Sequence, residues 1–273
     1  LKVLMTSNRP SSIVIRDFLN KSVISSEDIA FQIAPRINSA GRLEDASIAL
    51  EFYTAKDTHT AYKQFELLGQ LNNLRKETEA ECTKEAITKA DQNADVIVVA
   101  HENWHEGVVG IVAARLVDRF AKPAIVLSIQ NGIAKGSARS IGEVSIYELI
   151  KSCEHLLTKF GGHTMAAGLG LLEENIEVLT KTINASASKL NRDDFLPKES
   201  ISGILQTDEI DLELLSLLEQ FEPFGEANHR PSFLIQDAEV VSIKLMGQDK
   251  SHSRIEIRQN PHERKTLELI AFR

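Results

Sequence analysis

Three stretches of the chain carry side chains and glycines suited to holding a phosphate. Gly136-Ser137-Ala138-Arg139-Ser140 sets two hydroxyls and a guanidinium behind a glycine at the end of an expected strand. Hydroxyls and exposed backbone N–H groups donate to phosphate oxygens, and arginine adds a planar bidentate fork that lysine does not reproduce. Gly161-Gly162-His163-Thr164-Met165-Ala166-Ala167-Gly168 lets the backbone approach a ligand closely and offers His163 as a donor to it. Ala34 to Arg42 brings two arginines and Asn38 around a glycine turn. Each has an ordinary alternative: a solvated Ser/Arg turn, a tight turn with a satisfied histidine, and, for Arg36, a surface charge capping a helix.

Other chemistries are disfavoured. His101-Glu102-Asn103-Trp104-His105 matches the zinc-protease pattern H-E-x-x-H, which needs both histidines on one helical face. Here a β-branched run ends at Ala100, so His101 falls on a strand-to-loop turn, and the following helix starts only near Gly107. There is no Walker A lysine after the glycine run, no G-x-S-x-G elbow, and no aspartate cluster of the kind that holds two catalytic metals. Cys82 and Cys153 are the only cysteines, far apart in helical patterns, and read as buried structural thiols.

The elements that must position these residues follow from periodicity. At 273 residues and 42% hydrophobic content, the chain can fill more than one core. The segment 1–57 mixes short helical runs with turn signals at Asn8-Arg9-Pro10 and Asn38–Gly41, like the edge of a larger domain, and its start at Leu1 within folded-type sequence suggests preceding residues. From Thr58 to about Ala90, Ala61, Phe65, Leu68, Leu71, Leu74, Thr78, Cys82 and Ala86 recur at three- and four-residue steps. That is one long helix (58–92), about 45 Å at 1.5 Å per residue. Strands at 95–100, 124–128 and 133–138, with helices at 107–120, 145–159 and 176–190, predict a small α/β domain over 93–195 with a mixed sheet. Short strands near 201–205, 233–235, 239–246, 253–258 and 267–272, with a turn at 247–251, predict a small OB-like β-barrel over 196–273.

A net charge of -8 argues against a general polyanion binder, but its distribution is uneven. Residues 171–226 hold thirteen acidic and four basic side chains, whereas 241–273 hold seven basic and four acidic, so the tail is the polyanion face. Lys244, Lys250, Arg254 and Arg258 are its candidate groove residues, while Phe233 and Phe272 are expected in the core. No stretch is long and apolar enough to span a bilayer and no signal peptide is evident, so the chain reads as cytoplasmic with no membrane partner.

Taken in order, the motifs resemble the RecJ family of DHH-type phosphoesterases. The resemblance runs through Pro35–Leu43, the long helix, Trp104-His105-Glu106-Gly107-Val108-Val109-Gly110-Ile111, Gly136–Ser140, Gly161–Gly168 and Phe221-Glu222-Pro223-Phe224-Gly225. It implies a hydrolase that removes nucleotides from single-stranded DNA in the 5′ to 3′ direction, in repair and recombination. It also implies Mn2+ or Mg2+ held by Asp and His residues of an N-terminal DHH module, absent from this chain. By the family pattern Ser137 and Arg139 grip the terminal phosphate beside Gly161 and Gly162, Arg42 contacts the backbone near the cut, and His163 faces the scissile phosphate as the catalytic residue. The partner implied is single-stranded DNA, and candidate protein partners are a single-strand-binding protein or a helicase. The alternatives are an oligonucleotide or cyclic-dinucleotide phosphodiesterase of the same superfamily and a non-enzymatic strand-binding module.

Overall fold

The computed structural model describes residues 1–198, 200–247, 250–259 and 266–272. The chain divides into two compact units, 1–198 and 199–273.

The first unit opens with short helices: α1 (Lys2–Thr6), α2 (Pro10–Leu19), α3 (Ser26–Asp28), a π-type turn at Ile29–Ile33, α4 (Ala34–Leu43) and α5 (Ser47–Thr54). The long helix α6 (Thr58–Lys89) starts where the Asp57 side chain accepts the Thr60 N–H at 2.8 Å. Its buried stripe serves two cores in turn. Ala61, Phe65, Leu68 and Leu71 pack with α2, α4 and α5, while Cys82 and Ala86 pack against the next layer. Both cysteines are buried and free, and burial, with Glu85 second, pushes the Cys82 thiol up to about 12.

Two sequence expectations fail here. Asn38–Gly41 is not a turn but the middle of α4, because Ser39 bonds to Pro35 O at 2.6 Å and to Asn72 of α6 at 3.3 Å. Arg36 does not cap a helix either. Its guanidinium lies 4.4 Å from the Phe18 ring centroid and 5.3 Å from that of Phe65, a cation–π packing role.

The capping box before the π-turn gives a pH prediction. The Asp28 N–H donates to Ser25 Oγ at 3.1 Å, the Ser25 N–H returns to Asp28 Oδ2 at 3.0 Å, and Lys21 Nζ reaches the same carboxylate at 2.5 Å. Lys21 first, then the Ser25 backbone, holds Asp28 at about 2, below its ordinary 3.8. A depressed folded-state value means the contribution is present above the unfolded value and is lost as pH falls toward 2. Asp28→Asn is therefore expected to make the acid limb of unfolding shallower; an unchanged limb by circular dichroism would count against it.

Beyond α6 the unit is a five-stranded mixed sheet. Its strands are β1 (Ile97–His101), β2 (Ala124–Gln130), β3 (Ile133–Arg139), β4 (Leu157–His163) and β5 (Ala166–Leu172), in spatial order β1-β2-β3-β5-β4. Only the β1–β2 pair is parallel. It is crossed over by α7 (Glu106–Phe120), and α8 (Ile146–Lys151) and α9 (Ile176–Ala187) follow β3 and β5. The helix expected through Lys159 stops at Lys151, and the expected glycine turn at 161–168 is two strand segments joined at Thr164 and Met165.

The two faces of the sheet differ. Ile125, Leu127, Ala134, Ala138, Ala167, Leu169 and Leu171 point into a core shared with α8 and α9. On the other face Ile97, Val99, Ala124 and Val126 are covered by α7 and the end of α6. α7 does not extend over β5 and β4, where Gly161 and Gly168 are exposed. Buried Glu79 of α6 ties these helices together, pairing with Arg75 and, at 3.0 Å, with Arg115 of α7.

The second unit contains β6 (Gly203–Ile204), α10 (Leu212–Glu219), β7 (Phe233–Leu234), β8 (Glu239–Met246), β9 (His252–Arg258) and β10 (Leu267–Ala271). β8, β9 and β10 form an antiparallel sheet, and β6 pairs in parallel with β7. A small mixed-sheet α/β domain after a long helix, followed by an OB-like β unit, is thus the observed architecture. Positions 248 and 249 of the expected 247–251 turn lie outside the described residues. Phe272 is 78% exposed rather than in a core, edge-on to His252 at 5.5 Å.

Candidate functional site

Strand register places the site. Residues directly opposite one another across an antiparallel ladder project to the same face. On the uncovered face this gives three rows running β3, β5, β4: Lys135-Gly170-Lys159, Ser137-Gly168-Gly161 and Arg139-Ala166-His163. The central strand contributes only glycine and alanine, so the floor is low and its two borders carry cations, a hydroxyl and an imidazole.

α7 and α4 close one end of this floor. His105 caps α7, its Nδ1 accepting the Gly107 N–H at 3.0 Å, so the positive end of a fifteen-residue helix opens beside β3. Gly110 brings that helix close: a Cβ there would lie 3.1 Å from Ser137 Oγ and 3.3 Å from Arg139 Nη2. The last turn of α4 approaches still more closely, and Arg42 Nη1 donates to Gly107 O at 3.0 Å. Between these elements lies a cavity of 590 Å³, lined by Arg42, Glu106, Gly107, Gly110, Lys135, Ser137, Arg139, Lys159 and Gly161, among others.

Four of the expected residues, Arg42, Ser137, Arg139 and Gly161, therefore converge in one cavity. Arg139 Nη1 donates to Ser137 Oγ at 3.0 Å and to Ala138 O at 2.8 Å, which fixes the guanidinium against the sheet. Burial, and secondarily the Arg42 charge, pulls Arg139 below its ordinary value. Arg42 and Arg139 thus face one cavity, an arrangement whose charge favours an anion over a cation. Ser140, the second hydroxyl of the motif, is not part of it; it is buried and donates to Val144 O.

His163 shares the row of Arg139 and is exposed, but it lies outside the cavity lining, its Nδ1 accepting the Met165 N–H at 3.3 Å. Gly162 belongs to the opposite face. Its φ of 155° and a would-be Cβ 2.3 Å from Ala166 O make it a requirement of the hairpin. Sequence reasoning missed Lys135 and Lys159, for which isolated lysines gave no signal, and it quoted Gly107 and Gly110 within a family motif without giving them a place in the site.

In the second unit Lys244 and Arg254 stand opposite each other on one face. Arg254 pairs with Glu268 at 3.4 Å, while Lys250 sits on the turn with φ 55°. Arg258 is tied to Glu239 at 2.7 Å with its Nε buried, which makes it the least available of the four.

No group of three or more His, Cys, Asp or Glu side chains suited to a metal ion occurs among the described residues, and none of their helices is long and apolar enough to cross a membrane. The cavity is lined by guanidinium, ammonium and hydroxyl groups and one carboxylate, Glu106, which is paired with Lys135, and this set does not fit a divalent cation. His101 ends β1 and His105 precedes α7, so H-E-x-x-H is split between two elements.

Comparison with known proteins adds names to this arrangement. The DHHA1 domain model matches residues 93–189 and the RecJ OB domain model matches 201–273. The single-stranded-DNA-specific exonuclease RecJ of Bacillus subtilis is 37% identical over 254 residues, which is 91% of this chain and 32% of that protein. That of Haemophilus influenzae is 33% identical, covering 89% and 45%. The crystal structure of RecJ from Thermus thermophilus in complex with Mg2+ superposes with a TM-score of 0.84 at 26% identity, over 99% of this chain and 41% of that one. The chain thus spans less than half the length of these relatives. Two domain models in succession and a backbone match across almost every residue make the chain a member of the RecJ family.

Proposed function

We propose that this chain is the substrate-holding part of a 5′ to 3′ single-stranded-DNA exonuclease acting in DNA repair and recombination in the cytoplasm. The observation that carries the reading is the meeting of Arg42, Ser137 and Arg139 at the positive end of α7, over a floor too low in side chains to obstruct a backbone. Such a cavity fits the terminal phosphate of a strand. His163, one row along the same face, is the residue of this chain that faces the scissile phosphate. Lys244, Lys250 and Arg254 of the OB-like unit are also contacts for single-stranded DNA, with Arg258 the least available of the four.

Hydrolysis of a phosphodiester in this reading needs Mn2+ or Mg2+, as in the metal-bound RecJ structures from Thermus thermophilus. The Arg42–Ser137–Arg139 cavity does not fit such an ion, so we assign the metal to a DHH module outside these 273 residues. This chain's share of catalysis is positioning and charge compensation. A single-strand-binding protein or a helicase is the partner proposed for delivering the strand.

Fluorescence anisotropy with the 273-residue chain tests the reading. It is expected to prefer a 5′-phosphorylated oligonucleotide over its 5′-hydroxyl counterpart, to bind more weakly as salt rises, and to release no nucleotides in Mn2+. Equal affinity for the two ends would remove the terminal-phosphate assignment, and cleavage by the purified chain would overturn the division of the site.

A further inference from the structure

Two helices, α4 and α7, bring Arg42 and a positive helix end to the phosphate cavity, and one buried polar chain ties both of them to α6. We propose that Glu79, at the centre of that chain, is a positioning residue for the cavity: its carboxylate fixes α7 relative to α6 and α4 and so holds Arg42 in place. The proposal rests on the terminal-phosphate reading and deepens it.

Both oxygens of Glu79 are engaged. Oε2 accepts from Arg75 Nη1, and Oε1 accepts from Arg115 Nε of α7 at 3.0 Å. The Arg75 guanidinium also turns toward α4. Its Nη2 donates to Asn72 Oδ1 at 2.9 Å, and the Ser39 hydroxyl of α4 lies 3.3 Å from the same oxygen. Glu79, Asn72 and Ser39 are all buried. The chain thus runs from Ser39, three residues before Arg42, to Arg115, eight residues after Gly107. α4 and α7 meet again at the cavity, where Arg42 Nη1 donates to Gly107 O at 3.0 Å and a Cβ on Gly107 would lie 1.9 Å from Arg42 O. That contact has no slack, so a change in the spacing of the two helices reaches Arg42 directly. None of Ser39, Asn72, Arg75, Glu79 and Arg115 lines the phosphate cavity, so the chain acts through Arg42 and not on a ligand there.

Stability alone does not call for a carboxylate at this position. The attraction in a buried ion pair roughly offsets its desolvation, and apolar side chains of similar volume commonly stabilise as well. What charged hydrogen bonds add is direction. Burial of Val108, Val112 and Leu116 presses α7 onto the sheet, but apolar burial is non-directional and leaves the roll and slide of the helix to polar contacts. The two arginines differ in cost. The Arg75 side chain is 13% exposed and would be left buried without its partner if Glu79 lost its charge, whereas that of Arg115 is 58% exposed and can be removed with less harm to the fold.

The test is a double-mutant cycle read on the ratio of affinities for 5′-phosphorylated and 5′-hydroxyl oligonucleotides, measured by anisotropy well below each protein's unfolding midpoint. Glu79→Gln, which keeps the shape and removes the charge, is expected to lower that ratio about three- to fivefold, and Arg115→Met, which keeps the apolar stem, about twofold. In an Arg42→Ala background neither change is expected to lower it further, because Glu79 acts through Arg42. A lower unfolding midpoint with the ratio at its wild-type value marks a carboxylate that only stabilises, and overturns the proposal. A loss that multiplies with that of Arg42→Ala overturns it too. If Glu79→Gln does not fold, Arg115→Met carries the same outcomes. An Arg42→Ala protein that keeps the wild-type ratio strikes instead the placing of Arg42 at the terminal phosphate, so the two failures are told apart.

Discussion

Replacing Arg139 by alanine is expected to lower affinity for a 5′-phosphorylated single strand by about 10- to 100-fold, while a 5′-hydroxyl strand loses little. Hydrogen bonds to charged groups contribute about 1.5–3 kcal/mol each, and a terminal phosphate presents several acceptors to one planar fork. Arg139 is already oriented for that role. Its Nη1 is spent on Ser137 and Ala138 O, and its Nη2 lies on the side where Gly110 leaves room. Burial first and the Arg42 charge second pull Arg139 below its ordinary value, the direction an anion beside it would oppose. Arg139→Lys keeps the charge and loses the fork, so its affinity should fall between wild type and alanine. Anisotropy at one fixed salt concentration reads all three proteins. If the alanine variant keeps the full preference for a phosphorylated end, Arg139 is not the anchor.

Arg139 stands out in the amino-acid sequence, whereas Lys135 and Lys159 do not, and the difference has a physical reason. Arg139 belongs to a run of donor-bearing residues at a strand end, which also reads as a solvated Ser/Arg turn in isolation but stands out once it is set in order with the other family motifs. A single lysine in a strand is ordinary, and only register across β3, β5 and β4 shows that these two meet over Gly170. The long helix was legible to within a few residues, because Asp57 caps it and neither proline nor a second glycine interrupts it. α4 was not, because Asn38 and Gly41 favour turns in isolation, and it is tertiary packing of Ser39 on Asn72 and Arg36 on Phe18 that overrides them. The β4–β5 hairpin was misread as a helix end and a glycine turn. Its alternation was present, with Ala167, Leu169 and Leu171 inward and Ala166, Gly168 and Gly170 outward. An outward face of glycine and alanine lacks the polar signal that normally marks a half-buried strand, and the same smallness that hid the strand makes the floor of the site.

Glycines around the cavity are expected to respond in opposite ways to the same substitution. Gly107→Ala places a Cβ 1.9 Å from Arg42 O and 2.7 Å from Arg42 C, a clash between backbone segments that no rotamer change relieves. The last turn of α4 and the first turn of α7 must move apart, which breaks the bond from Arg42 Nη1 to Gly107 O and withdraws Arg42 from the cavity. Overpacking of this kind costs about 1–3 kcal/mol, so a lower unfolding midpoint and a weakened hold on phosphorylated ends should appear together. Gly161→Ala is the contrast. Nothing lies within 4 Å of a Cβ at that position, and the residue is exposed on the floor, so the midpoint should stay where it is. The added methyl instead stands where the strand must lie, and affinity alone should drop. Thermal unfolding and anisotropy on both variants separate the two cases. A Gly107→Ala protein with unchanged midpoint and affinity would show that α4 and α7 are not locked at this contact, and a Gly161→Ala protein with full affinity would move the strand off β4.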